Sequence, residues 1–215
     1  MLVNQHTIST LQALRGPTSG LALMNALRFV HARTPADKRR IFDTRERNYR
    51  GEHGYLLTEM GGQDIFDDHS ELYGLMLGDR AVATCRLTRC GEAGWEASDV
   101  VPRSLLDFDP TRTVQISRVL VDREFRGNGL HVLLFYKLCA VVRRETEFTH
   151  YFGLCQELLM KLYSRIGACA VDGVDIVIPS RCAQPYGLVF GEIAATQRHL
   201  RKFLPGLEAG AARTA

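Results

Sequence analysis

TVQISRVLVD, residues 113–122, runs directly into REFRGNG, residues 123–129, and then into LHVLLFYKLCAVVRR, residues 130–144. Apolar and β-branched residues interleave with polar ones in the first stretch, which reads as a strand. The third reads as an apolar helix packed on a sheet. Between them lies REFRGNG, which ends in the turn Arg126-Gly127-Asn128-Gly129. Glycine permits positive φ and close backbone approach, so successive amide N–H groups can converge on an anion. A helix N-terminus opening at Leu130 and His131 adds unpaired donors and partial positive charge. The stretch therefore predicts a cradle for a phosphate or pyrophosphate, with a plain strand-to-helix turn as the alternative. The Walker pattern G-x-x-x-x-G-K-[ST] is absent, and nothing completes the dinucleotide pattern G-x-G-x-x-G.

Working outward, the pattern predicts strands over Ala26–Ala32, Glu71–Leu77 and Ala81–Arg89 upstream, the last two joined by a Gly78-Asp79 hairpin turn. Thr34-Pro35 is a helix-start signal for Ala36–Tyr49. Residues 50–70 look irregular and glycine-punctuated, the habit of a functional or disordered loop. Downstream come a strand over Thr149–Leu154, an amphipathic helix over Glu157–Ile166 stopped by Gly167, strand candidates Val174–Pro179 and Tyr186–Ile193, and a charged C-terminal helix. This order predicts an α/β fold with a mixed central sheet and helices on both faces. Three segments are expected: an N-terminal helical arm (1–25), the main domain (26–193), and a C-terminal helix with a frayed tail (194–215).

The chain has 215 residues and a formal charge of +3, too little for a purely electrostatic nucleic-acid binder. Six cysteines (Cys85, Cys90, Cys139, Cys155, Cys169, Cys182) form no C-x-x-C pair. They read as reduced thiols in a cytoplasmic protein, and no metal site is expected. No signal peptide or membrane span is expected either.

Arg126-Gly127-Asn128-Gly129-Leu130, set between strand and apolar helix, resembles the acyl-carrier loop of the GNAT N-acyltransferase superfamily. Leu162-Tyr163-Ser164-Arg165-Ile166-Gly167 resembles its L-Y-x-x-x-G element. The match runs in order over residues 26–193. It implies a GNAT-like sheet splayed between its fourth and fifth strands, with a pantetheine arm in the gap. A narrower likeness points to the acyl-homoserine-lactone synthases and the related N-acyl amino acid synthases. Asp64-Ile65-Phe66-Asp67 resembles their D-x-F-D signature, and GDRAVATCRL (78–87) their hairpin. Ser117-Arg118 with Val121-Asp122 resembles their E-x-S-R-x-x-V-D strand, and Phe42 with Arg45 their F-x-x-R helix. The chain departs from that pattern at Gln115, where the synthases carry glutamate, and at His131, where a small residue closes the loop. Their tryptophan after the first helix is missing, and Trp95 lies elsewhere.

The resemblance implies a bacterial enzyme moving an acyl group, expected to be long, from acyl carrier protein or acyl-CoA to a small-molecule amine such as an amino acid. No tightly bound cofactor is expected. The alternatives are an acetyl-CoA-dependent N-acetyltransferase, a lactone synthase using S-adenosylmethionine, and a non-catalytic thioester-binding module.

By the same resemblance, Val119 and Val121 would line the pantetheine, and residues Arg126, Gly127, Asn128, Gly129, Leu130 and His131 would hold its phosphate. Tyr163 would protonate the leaving thiolate, or simply be packed. Ser117 would polarise the carbonyl, and Gln115 occupies the position of the synthases' glutamate. Asp67 is a candidate proton acceptor. Phe42, Arg45, Asp64, Phe66, Arg86 and Arg118 would hold the acceptor. Arg86 and Arg118 lie mid-strand among apolar residues, where an unpaired guanidinium is costly, so pairing with Asp64 or Asp67 is expected whatever their role. His69 and His150 are secondary candidates for the proton. Cys155 has no recognisable histidine partner, so direct aminolysis is expected. Arg123, Arg126, Arg143 and Arg144 would meet an acidic carrier or nucleotide phosphates, or form a solvated face. Leu133, Leu134, Phe135 and Leu138 are expected in the core.

Overall fold

The computed structural model describes residues 19–52, 62–90, 95–98, 100–101, 109–178 and 185–204. The expected arm before residue 19, part of the irregular stretch (53–61), Cys182 and the tail after residue 204 lie outside them.

Helix α1 (Ser19–Ala26) leads into β1 (Leu27–His31), then α2 (Pro35–Glu52) and the β2 (Ser70–Leu77) and β3 (Arg80–Arg89) hairpin. Thr34 Oγ1 accepts from the Asp37 N–H at 3.1 Å, the cap that its sequence announced. Next come β4 (Thr113–Val121), α3 (Leu130–Glu145), β5 (His150–Gln156) and α4 (Glu157–Arg165). Strand β6 (Cys169–Ala170), β7 (Ile176–Val177), β8 (Pro185–Glu192) and α5 (Ile193–Arg201) complete the described chain. Two expectations need correction. Val174–Pro179 contributes only the two-residue β7, and Cys169–Ala170 pairs with β8 although no strand was expected there.

The eight-stranded sheet runs β1-β2-β3-β4-β5-β8-β6, with β7 also on β8. All pairs are antiparallel except β4 with β5. Period-2 alternation sends Val114 and Ile116 of β4 and Tyr151 of β5 to one face. There they join Leu133, Leu134, Phe135 and Leu138 of α3 and Ile193 and Leu200 of α5 in the main core. On the opposite face α2 packs Ile41 and Phe42 on Leu72, Met76 and Ala81. A separate cluster beside it gathers Trp95, Phe152, Ile176, Tyr186 and Leu188.

The expected splay is present. Strands β4 and β5 pair only through Thr113–His150, Val114–Tyr151 and Gln115–Phe152, while β5 continues paired to β8 as far as Gln156. At the root of this fork a Cβ on Gly153 would lie 2.9 Å from the Ile116 carbonyl oxygen, so only glycine allows the backbones this close. Beyond the root, β4 also bulges. Its register with β3 jumps from Ser117–Arg86 to Leu120–Thr84, and Arg118 takes φ +52°. A left-handed arginine is strained unless its surroundings hold it. The bulge shifts the β3–β4 ladder near the point where β4 and β5 part, and pairing resumes at Leu120 and Val121.

Candidate active site

A cavity of about 430 Å³ fills the open end of the fork. One wall is Val119–Val121 of β4, and the opposite wall is Gln156 of β5 with Leu159, Leu162 and Tyr163 of α4. Its mouth is the glycine loop, through Arg126, Gly127, Gly129, Leu130 and His131. Gly127 and Gly129 take φ +83° and +69°, conformations that favour glycine. The first helical donor, Val132 N–H, bonds back to the Gly129 carbonyl at 3.0 Å. The N–H groups of Leu130 and His131 therefore precede the helical ladder, as the loop's sequence implied. Asn128 does not line the cavity and instead donates its side-chain amide to the Phe125 carbonyl at 3.1 Å, bracing the turn. Arg126 is exposed and donates Nε to the Val121 carbonyl at 3.1 Å, which holds its guanidinium at the mouth.

His131 is half-buried, and desolvation with the nearby Arg165 lowers its pKa, so its imidazole is neutral at pH 7. Tyr163 sits on the far wall with its ring edge-on to Phe135, centroids 6.0 Å apart. Among the described residues its hydroxyl has no hydrogen-bond partner. Burial pushes the phenol well above its ordinary pKa, so it keeps its proton at neutral pH.

On the other face of the fork lies a ring of buried charges. Asp64 holds Arg118 through Nε at 3.0 Å and Nη2 at 2.5 Å, and also takes Arg86 Nη1. Arg86 Nη2 donates to Glu96 at 2.6 Å, and Glu96 reaches Arg118 at 3.1 Å. Asp67 takes Arg45 Nη1 at 2.8 Å and Arg86 Nη1 at 3.2 Å. The pairing expected of the two strand arginines is thus found, with a third carboxylate added. Burial alone would raise the Asp64 pKa, but Arg118 and Arg86 overcome it and hold the carboxyl at about 2. The loop carrying both aspartates is pinned because Gly62, at φ +83°, packs its α-carbon on the backbone of α2. Phe66 and Phe42 lie under the Arg86 and Arg45 guanidiniums, at 5.5 and 5.7 Å.

Ser117 is bonded to this ring just beyond the root of the fork, and is not among the residues lining the cavity. Its Oγ accepts from Arg86 Nε at 3.0 Å, and a hydroxyl has one hydrogen of its own to give. Among the described residues no acceptor takes it. Gln115, two residues away on the same face, is buried, and among the described residues its Oε1 has no partner, nor do Nε and Nη2 of Arg45.

Several sequence candidates are not placed for the chemistry expected of them. Asp67, expected as a proton acceptor, is 1 % exposed and faces two guanidiniums. His150 sits at the closed end of the fork, stacked on Phe190. His69 is exposed beside the aspartate loop. Burial pushes the Cys155 thiol up to about 12, and its nearest partner is Met160 Sδ. Arg143 and Arg144 lie at the far end of α3 from the loop, on Gln197 and Glu145. Glu96 went unforeseen because it lies in an aperiodic polar stretch. Asn48 and Tyr49, which also line the cavity, come from the last turns of α2, and Asn48 Oδ1 ties that helix to Arg123 N–H at 3.0 Å. Among the described residues no cluster of three or more His, Cys, Asp or Glu side chains could hold a metal. None of the described helices is long and apolar enough to cross a membrane.

A mixed sheet forked between its fourth and fifth strands, bulged on the fourth and followed by a glycine loop and helix, is the GNAT fold. No family model and no curated protein sequence matches the chain. Solved structures do. The CoA-dependent acyl-homoserine lactone synthase BjaI aligns at TM-score 0.64 and 13 % identity, over 83 % of this chain and 89 % of its own. FeeM, an N-acyl amino acid synthase from uncultured soil microbes, aligns at 0.63 and 12 %, over 82 % and 97 %. A protein of Desulfovibrio desulfuricans assigned to the GNAT acetyltransferases aligns at 0.55 and 13 %, over 78 % and 99 %. At such identities the likeness is one of fold.

Proposed function

We propose that this chain is an N-acyltransferase, moving an acyl group from a thioester carrier to the amine of an amino acid or a similar small molecule. The observation that carries the reading is the fork cavity, which joins an anion-binding glycine loop at one end to a protonated tyrosine on its wall. The carrier's phosphate rests on the amides of the loop, and its pantetheine arm follows Val119–Val121. The thioester then lies between Tyr163 on one face and Ser117 on the other.

The amine attacks the thioester carbonyl, forming the C–N bond. Ser117, already bonded by Arg86, gives its hydrogen to the developing oxyanion. Collapse breaks the C–S bond, Tyr163 passes its proton to the departing thiolate, and the surplus proton of the new amide nitrogen returns through water to the tyrosinate. The α-amino group of a free amino acid is almost wholly ammonium at pH 7, so it must first give a proton to an ordered water or solvent before it attacks. The ring carboxylates, all paired with guanidiniums, orient the acceptor. Acyl carrier protein or coenzyme A would serve as donor, and the apolar cavity suits an acyl group longer than acetyl.

Mass spectrometry of extracts from cells expressing the protein tests this reading. An N-acyl species that is present with the wild-type chain, and lost with Ser117→Ala and Tyr163→Phe, supports it and names both substrates. No new species, with no thiol released from acyl-CoA or acyl carrier protein by any amino acid, rejects it.

A further inference from the structure

We infer that Glu96 is a positioning residue of the acyl-transfer site, and that Trp95-Glu96 staples the root of the strand fork from the face opposite α3. This rests on the acyltransferase reading and adds to it a residue that reaches the chemistry through Arg86 and Ser117.

The two side chains grip different strands. Trp95 is buried and meets Phe152 of β5 edge-on, at 5.0 Å between centroids. Phe152 pairs with Gln115 in the last rung before the strands part. The neighbouring Glu96 divides its oxygens between Arg86 of β3 and Arg118 of β4. One dipeptide therefore spans β3, β4 and β5 where the fork begins.

The consequence for Ser117 follows from the Arg86 donors. Nη1 goes to the aspartates, Nη2 to Glu96 and Nε to Ser117 Oγ. A guanidinium is planar, so partners on its two terminal nitrogens fix its rotation and with it the direction of Nε–H. Glu96 holds Nη2. With Nε–H fixed on Oγ, the serine hydrogen is turned away from Arg86. Glu96 also reaches Nη2 of Arg118, the left-handed residue of the bulge, the same nitrogen that Asp64 takes. Charge balance points the same way. Arg45, Arg86 and Arg118 face Asp64, Asp67 and Glu96, three against three, and losing one carboxylate leaves a buried surplus cation. With both oxygens on guanidiniums, Glu96 is placed to orient and not to take a proton.

The test measures thiol release from decanoyl-CoA or decanoyl acyl carrier protein, with an equimolar mixture of the twenty amino acids as acceptor. Wild type is compared with Glu96→Gln, Glu96→Asp, Ser117→Ala and the Glu96→Gln/Ser117→Ala double variant. Glu96→Gln is expected to lower kcat by about 10- to 100-fold while the donor KM moves less than about threefold. Glu96→Asp should recover much of that loss. In the Ser117→Ala background Glu96→Gln should cost less than about threefold, because its effect passes through the serine. Emission from Trp95, the only tryptophan in the chain, reports whether the segment stays seated. Should Glu96→Gln unseat it, Glu96→Asp decides. A Glu96→Gln enzyme within about twofold of wild type, or losses that multiply in full in the double variant, overturn the positioning role. Absence of transfer by the wild type overturns the acyltransferase reading itself, and this inference with it.

Discussion

Tyr163→Phe removes one oxygen from the cavity wall, and the structure sets what that should cost. The ring keeps its contact with Phe135, and the hydroxyl has no hydrogen-bond partner to lose among the described residues. Stability should therefore change by less than about 0.5 kcal/mol, the range of a substitution that leaves packing intact. Activity should change far more. A thiol leaving group has a pKa near 8.5, so thiolate can depart without help, but slowly at pH 7. General acid assistance is then worth about 100-fold, the low end of its range, or roughly 2.7 kcal/mol. Burial holds the Tyr163 pKa above its ordinary value, so the acid form persists through the alkaline range of the assay. Because the acid form is constant over that range and the esterified sulfur does not itself titrate, the ratio of wild-type to variant kcat should hold at about 100 from about pH 6.5 to 9.5. Stopped-flow thiol release between pH 6.5 and 9.5, at saturating donor, measures it. A ratio that collapses towards one within that range, or a variant as fast as wild type, would refute the general-acid role.

Asp64 carries a pH signature of its own. Its folded pKa of about 2 lies below the ordinary value, so its contribution is complete above about pH 4 and lost as pH falls through 2. Urea titrations should show Asp64→Asn less stable than wild type by about 2 kcal/mol at pH 7, with the gap closing towards pH 2. A gap that does not depend on pH would place the stabilisation elsewhere. Gly129→Ala meets no crowding, since the new Cβ would lie 3.6 Å from Met24 Cε, but it forces alanine to φ +69°. That strain should cost about 1 kcal/mol and turn the loop amides, raising the donor KM by about tenfold with kcat nearly kept, as donor titrations would show.

The fourth strand, the glycine loop and the following helix were legible because each is local. Alternation, paired glycines and an apolar helical run sit side by side, and the helix begins at Leu130 as expected. The ion pairs of Arg86 and Arg118 were legible in part, because arginine inside an apolar strand demands a carboxylate and Asp64 was at hand. What stayed hidden depends on tertiary approach. Glu96 lies in a stretch with no period, and only the folded chain brings it between two guanidiniums. The bulge that makes Arg118 left-handed leaves no trace in a strand dominated by β-branched residues. The edge strands β6 and β7 are two residues each, too short for any alternation to register.

A crystal structure of the protein with decanoyl-CoA bound tests the central claim most directly. The account predicts the diphosphate on the amides of Gly127–His131, the pantetheine between Val119–Val121 and α4, and the sulfur within hydrogen-bonding reach of the Tyr163 hydroxyl. A ligand seated outside the fork, or a fork that closes to continuous β4–β5 pairing when the thioester is present, would contradict it.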